Sequence, residues 1–147
     1  YLNWRENLKD GITKDNHISL DEIYKSRTNS GEGMTYKAAF KFLRTNGVKS
    51  DNGKLKISLY SRVLNPLTLR YALVMNGPCF GALPVYNSNH DFWEKYPNDK
   101  LLGYHAISIV GYDEDGFIIR NSWGVSFGDK GYTHIKAKTK KIGMTII

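Results

Sequence analysis

Two segments of this 147-residue chain, GYHAISIVGY at residues 103–112 and IRNSWGVSFGDKGY at residues 119–132, carry the strongest structural signal in its sequence. The first segment and the start of the second are rich in apolar and β-branched residues, which favour strands. Residues 113–116, which read DEDG, form a turn signal between them. The pattern therefore predicts an antiparallel hairpin.

His105 and Asn121 are the candidate catalytic residues of this hairpin. His105 stands near the start of the first predicted strand and Asn121 at the end of the next, sixteen positions later, so the two can meet across an antiparallel pair. An amide oxygen that accepts a hydrogen bond from one ring nitrogen fixes the tautomer and the plane of an imidazole. The other ring nitrogen is then left facing a nucleophile.

The two segments resemble the histidine and asparagine motifs of the papain-like cysteine peptidases. In that family a small residue precedes the histidine, an apolar strand and Gly-Tyr follow, and Asn-Ser-Trp-Gly, an aromatic residue before Gly and a final Gly-Tyr complete the pattern. The resemblance implies an α+β papain-like fold with an incomplete helical left lobe and an antiparallel β-barrel-like right lobe. It also implies that His105 is the general base and acid, that Asn121 orients it, and that Trp123 shields their hydrogen bond from water.

The resemblance extends upstream of the hairpin to the residues that would hold a peptide substrate. Residues 76–78, Asn-Gly-Pro, precede a strand-like run as in the family, and SGEGM at residues 30–34 resembles the glycine strand beside the substrate cleft. An extended peptide can bind the main chain of such a strand. The resemblance implies that Gly33 and the main chain of Tyr104 hold substrate, and that Met34, Ala82 and Ala106 line the main specificity pocket.

The nucleophile of the family is missing from its expected context. Papain-like enzymes carry it at the start of a long helix, in a Gln…Cys-Gly-Ser-Cys-Trp type of sequence, and no such segment occurs among these residues. Cys79 is the single cysteine, and it lies in the apolar run CFGAL at residues 79–83. A cysteine in such a run is expected to be a buried core residue rather than a reactive thiol.

Two explanations of the missing nucleophile remain. Residues 1–9 have a helical pattern with no capping residue before it, which favours the back half of the nucleophile helix of a larger domain. Alternatively, residues 3–6, Asn-Trp-Arg-Glu, imitate a mature papain-like N-terminus, and the nucleophile helix has been lost. We favour the first explanation and expect an N-terminal segment of the same protein to carry the cysteine.

The chain is expected to form one truncated papain-like domain. Residues 1–50 are assigned to the remainder of the left lobe and residues 51–147 to the β-rich right lobe with the catalytic His and Asn. Beyond residues 1–9, helices are predicted at residues 19–24, 35–45 and 65–76, and strands at residues 55–59, 80–86, 105–112, 117–121 and 131–135.

Composition excludes several other classes of function. The net charge of +7 could attract nucleic acid, but the basic residues are scattered and no nucleic-acid-binding motif accompanies them, so no nucleic-acid partner is expected. No apolar run approaches the ~20 residues that cross a bilayer, and no membrane association is expected. His17, His90 and His134 are isolated, so neither a metal nor a cofactor is expected. The absence of a disulfide favours a reducing compartment.

The sequence therefore predicts a cysteine-type peptidase that cleaves peptide or protein substrates by a Cys-His-Asn mechanism, with the cysteine outside this chain. The alternative is a catalytically inactive papain-fold module that binds a peptide or a protein, because a fold can persist without its activity.

Overall fold

The structure, a computed structural model, describes residues 18, 20–28, 30–31, 33–50, 53–136 and 143–146. The described residues form two compact units, one that ends at Tyr60 and one that spans Ser61–Ile146. The helix predicted at residues 1–9, and residue 19 at the start of the helix predicted at residues 19–24, lie outside the described residues. Within the described part of the chain, no helix is long and apolar enough to cross a membrane.

The first unit contains two helices and a short hairpin: α1 (Asp21–Lys25), α2 (Tyr36–Thr45), β1 (Val48–Ser50) and β2 (Gly53–Leu55). Helix α2 was predicted, and it begins where the sequence indicated, because the Thr35 hydroxyl accepts a hydrogen bond from Ala38 N–H at 3.3 Å. It buries Phe40 and Leu43. The Glu22 carboxylate ties α1 to β1 by accepting a hydrogen bond from Lys49 N–H at 3.0 Å.

The strand predicted at residues 55–59 is wrong beyond Leu55. Strand β2 ends there, and although Ile57 is 2% exposed, Leu59 is 64% exposed. Ile57 N–H donates to the carbonyl of Leu43 in α2 at 3.4 Å rather than to a neighbouring strand. The alternating apolar residues therefore do not mark a strand, because Ile57 is buried beside α2 and Leu59 is exposed.

The second unit consists of one helix and one antiparallel sheet: α3 (Pro66–Asn76), β3 (Ser61–Val63), β4 (Cys79–Val85), β5 (Gly103–Tyr112), β6 (Gly116–Arg120), β7 (Tyr132–Lys136) and β8 (Gly143–Ile146). The six strands are ordered β3-β8-β4-β5-β6-β7. The predicted mixture of helices with an antiparallel sheet is confirmed. The sheet is open among the described residues, with β3 and β7 at its edges, so the expected barrel-like lobe contains no closed barrel.

Helix α3 covers the sheet and closes the core of the second unit. Its predicted signals are confirmed: Asn65 caps the N-terminus, Pro66 is its first residue, and Gly77 ends it with φ of 84°. The helix buries Leu69, Ala72 and Leu73. These residues belong to a core cluster that also includes Leu83, Phe92, Ile107, Ile109, Phe117 and Ile119.

Candidate active site

The hairpin formed by β5 and β6 is held by its own turn. The Asp113 carboxylate accepts hydrogen bonds from the N–H groups of Asp115 and Gly116, both at 3.0 Å, and Asp113 N–H donates to the Gly116 carbonyl. A Cβ at Gly116 would overlap the carbonyl oxygen of Ile135 in β7, so the close approach of β6 and β7 requires glycine. The predicted turn is confirmed.

A β-bulge at Val110 decides which face of the sheet Asn121 occupies. From the turn, Tyr112 pairs with Phe117, but beyond Val110 the register shifts by one, so that Ser108 pairs with Arg120. Without the shift, Asn121 would stand opposite Ser108, on the other face from His105. With it, Asn121 follows opposite Ile107, which shares the face of His105 because side chains alternate along a strand.

His105 and Asn121 are in direct contact, as their spacing predicted. His105 Nε2 lies 2.8 Å from Asn121 Oδ1. The same oxygen lies 2.7 Å from the backbone N–H of Ser122, a group that can only donate. The amide atom that faces the imidazole is therefore the acceptor oxygen, so Nε2 carries the hydrogen and neutral His105 keeps its lone pair on Nδ1.

Asn121 is fixed by the loop that follows it. The side chain is 9% exposed, and Asn121 N–H donates to the carbonyl of Gly131 at 2.9 Å, which closes the loop between β6 and β7. Gly131 N–H in turn donates to the Phe127 carbonyl at 2.7 Å. Gly128 has φ of 54°, and a Cβ there would overlap the Tyr132 carbonyl oxygen, so the loop depends on the glycines of the quoted sequence.

Aromatic rings surround the His105 imidazole. The Trp123 ring lies 4.6 Å from it, between centroids, at an interplanar angle of 34°. Phe127 meets Trp123 edge-on at 5.2 Å, and the Phe92 ring lies 5.5 Å from His105 at 84°. Trp123 remains 50% exposed, so it forms the outer side of this cluster, whereas Phe92 is 2% exposed and forms its inner side. The His–Asn hydrogen bond therefore lies beside a cluster of three aromatic side chains.

The residues predicted to contact substrate fall into two groups. Ala82 and Ala106 face each other directly across β4 and β5, and Tyr104, which is 67% exposed, lies on the same face of the sheet. Strand alternation puts these three side chains on the opposite face from His105. Gly33 and Met34 belong to the first unit. Within the second unit, the structure therefore brings His105, Asn121 and Trp123 together and places Tyr104, Ala82 and Ala106 on the opposite face of the sheet.

Met34 lines a cavity within the first unit. The cavity has a volume of about 500 Å³ and lies between α2 and the chain that follows α1, with Arg27, Ala38 and Phe42 among its lining residues. Gly33, just before Met34, is exposed, and a Cβ there would meet no atom within 4 Å.

Cys79 is a core residue, as its apolar context predicted. It is 2% exposed at the first position of β4, and burial raises the pKa of its thiol to about 11. Cys79 pairs with Ile109, whereas His105 pairs with Leu83, so the two lie four positions apart along the strands, about 13 Å at the usual rise. This thiol therefore has neither the ionisation nor the position of a partner for His105.

His134 pairs with Asp113 at the turn of the hairpin. His134, an isolated residue in the sequence, places Nε2 2.6 Å from the Asp113 carboxylate. Among the residues that the structure describes, no group of three or more His, Cys, Asp or Glu side chains could hold a metal ion. Phe92 and Trp93 are buried in the loop between β4 and β5, but the sequence pattern did not reveal that Phe92 contacts His105.

Comparisons with known proteins agree on one family. A family model described as papain family cysteine protease matches residues 10–146. Macrodontain-1 from Ananas macrodontes is 25% identical over 151 residues, which cover 95% of this chain and 62% of that protein. A gut-specific cysteine proteinase from Caenorhabditis elegans is 30% identical over 86 residues, which cover 54% of this chain and 26% of that protein, so the chain spans less than two thirds of the length of either relative.

Two solved structures share the fold. Xylellain, a cysteine protease from Xylella fastidiosa, has a TM-score of 0.78 at 24% identity, and the match covers 97% of this chain and 74% of that one. The proform of the ragweed pollen cysteine protease Amb a 11 has a TM-score of 0.68 at 23% identity, over 99% of this chain and 56% of that one. At these identities the two structures establish the fold alone.

Proposed function

The chain belongs to the papain family of cysteine proteases, and we propose that it supplies the general base of a cysteine peptidase that hydrolyses peptide bonds. The observation that carries the proposal is the 2.8 Å contact of His105 Nε2 with Asn121 Oδ1. Because this contact occupies Nε2, Nδ1 is the nitrogen that exchanges a proton with a nucleophile. Asn121 orients the ring, and Trp123 shields the hydrogen bond from water.

His105 acts in both steps of the proposed reaction. A cysteine loses its proton to Nδ1 of His105, and the thiolate attacks the carbonyl carbon of the scissile bond. The imidazolium then protonates the leaving amine as the C–N bond breaks. In the second step, Nδ1 takes a proton from the water that attacks the thioester, and it returns that proton to the sulfur as the carboxylic acid is released.

The nucleophile in this proposal comes from another segment of the same protein. Cys79 is the only cysteine among the 147 residues, and its burial and raised pKa of about 11 make it a poor nucleophile. The family places its cysteine at a helix N-terminus, where the helix dipole and the imidazolium favour the thiolate. A segment that carries such a cysteine is thus the proposed partner of this chain.

An extended peptide is the proposed substrate. The main chain of Tyr104 would hold it, and Ala82 and Ala106, which pair across β4 and β5 on the face opposite His105, would line part of the specificity pocket, where two small side chains leave room for a larger substrate side chain. In the proposed domain, residues 1–50 are the remainder of the left lobe and residues 51–147 are the right lobe.

Replacement of His105 tests the proposal. In the complete protein, His105→Ala is expected to lower kcat/KM for a peptide substrate on the order of 10²- to 10⁴-fold, because the acid–base group is lost from both steps. His134→Ala is the matched control, since His134 is bonded to Asp113 at the far end of the hairpin, and it should retain activity within about twofold.

Two results would contradict the proposal. Unchanged kcat/KM in a folded His105→Ala protein would remove His105 from the reaction. A complete protein without any thiol-dependent peptidase activity, but with saturable peptide binding, would favour the inactive papain-fold module instead.

A further inference from the structure

Among the residues that the structure describes, Phe92 is the buried ring that touches both His105 and Trp123. We propose that Phe92 is a positioning residue, which holds the His105 imidazole in the plane set by Asn121; its importance for turnover rests on the proposed peptidase function. Its ring lies 5.5 Å from His105 at 84° and 5.1 Å from Trp123 at 50°, between centroids. No feature of the quoted motifs assigns a role to this residue.

The hydrogen bond to Asn121 leaves one motion of the imidazole free. It restrains Nε2, but that atom lies close to the Cβ–Cγ axis, so a partial turn of the ring about this bond moves it little, and a single contact to a carbonyl-type oxygen tolerates the change of angle. Trp123 lies against His105 at an interplanar angle of 34°, and Phe92 meets it nearly at a right angle. Two rings in different orientations exclude the rotated positions that the hydrogen bond permits.

Phe92 is itself well anchored in the loop between β4 and β5. Its carbonyl accepts a hydrogen bond from Tyr86 N–H at 2.9 Å, and its ring meets the Trp93 ring edge-on at 4.9 Å. Further along this loop, the Asn87 amide donates to the Asp99 carboxylate at 2.9 Å, and Tyr96 donates to Asp91 at 2.6 Å. These contacts hold the Phe92 ring in a fixed position against His105.

Phe117 offers a matched control for the loss of a buried ring. It is 1% exposed, belongs to the same core cluster as Phe92, and pairs with Tyr112 at the turn end of β5. That position is seven residues from His105, about 23 Å along the strand. Phe92→Leu and Phe117→Leu therefore remove the same group from one core, but only the first removes a contact with His105.

Nuclear magnetic resonance of histidine-labelled protein measures the proposed effect. In Phe92→Leu, solvent exchange of the His105 Nε2 proton is expected to become at least about tenfold faster, because a turning ring exposes the hydrogen bond. In Phe117→Leu this exchange should stay within about twofold of the wild type, although both variants lose thermal stability. Phe92→Tyr, which keeps the ring, should preserve slow exchange. Unchanged exchange in a folded Phe92→Leu protein would overturn the proposal.

The wild type gives a second test that needs no variant. The His105 ring is expected to be as rigid as the surrounding backbone, with an order parameter of about 0.85, and a value below about 0.6 would overturn the proposal. In the complete enzyme, Phe92→Leu should lower kcat by about tenfold with KM within about twofold, since misalignment affects the reacting geometry. The exchange and order-parameter results remain decisive even if His105→Ala shows that the protein is not a peptidase.

Discussion

Asn121 makes two contacts through a single oxygen, and together they determine the state of His105. The Ser122 N–H identifies Oδ1 as the atom that faces the imidazole, and the contact with His105 Nε2 then places the lone pair of the neutral ring on Nδ1. The spacing of the two residues predicted that they meet. It could not predict the tautomer, because that depends on a backbone donor whose direction is set by the loop after β6.

Asp113 provides a pH-dependent contribution to stability. The hydrogen bond from His134 is the main cause that lowers the pKa of the Asp113 carboxyl below its ordinary value of 3.8, and the N–H of Gly116 adds to it. A group whose pKa is lower in the folded state stabilises the fold above its ordinary pKa and loses that contribution as pH falls through the lowered value. We therefore expect the wild type to melt at a higher temperature than Asp113→Asn near neutral pH. This difference in melting temperature should shrink below about pH 4.

Thermal melts of wild type, Asp113→Asn and His134→Ala between about pH 6 and pH 2.5 check this expectation. His134→Ala removes the donor, so the difference in melting temperature between the wild type and this variant should also shrink over the same acidic range. A difference that stays constant or grows as the pH falls would contradict the assigned role of the His134–Asp113 hydrogen bond.

At the scale of elements, the hairpin of β5 and β6 was predictable, but its bulge was not. The apolar runs and the DEDG turn at residues 113–116 predicted two strands and their connection. The extra residue at Val110 shifts the register, and it reflects backbone geometry rather than a residue pattern. Strands β3 and β8 were missed because elements of three and four residues are too short to show periodicity.

The cap of α3 is expected to contribute measurably to stability. Asn65 Oδ1 accepts hydrogen bonds from the N–H and the hydroxyl of Thr68, both at 2.9 Å. Asn65→Ala removes the acceptor and should lower the free energy of unfolding by about 1 kcal/mol, as measured by urea denaturation.

Asn65→Ser is the control for this cap, because serine keeps a side-chain oxygen at the N-terminus and should retain most of the stability. Equal losses in Asn65→Ala and Asn65→Ser would show that the hydrogen bond to Thr68 is not the cause.

At the scale of the whole molecule, the family and the fold class followed from one region of the sequence. The pattern around His105 and Asn121 was specific enough to indicate the papain family, and the match of residues 10–146 to that family agrees. The sequence led us to expect a barrel-like right lobe, but the described strands form an open sheet rather than a closed barrel. The contact of Phe92 with His105 was also not predictable, because Phe92 lies in an irregular loop, where no strand alternation or helical period indicates which way a side chain points.

We propose that this chain carries the base side of a thiol peptidase site and that Cys79 is not its nucleophile. Labelling of the complete protein with a thiol-directed peptidyl chloromethyl ketone, followed by mass spectrometry of the digest, tests both parts in one measurement. We expect the label on a cysteine outside these 147 residues. We also expect labelling on the order of 10²-fold slower in His105→Ala. A label on Cys79, or labelling of equal rate in His105→Ala, would contradict the claim.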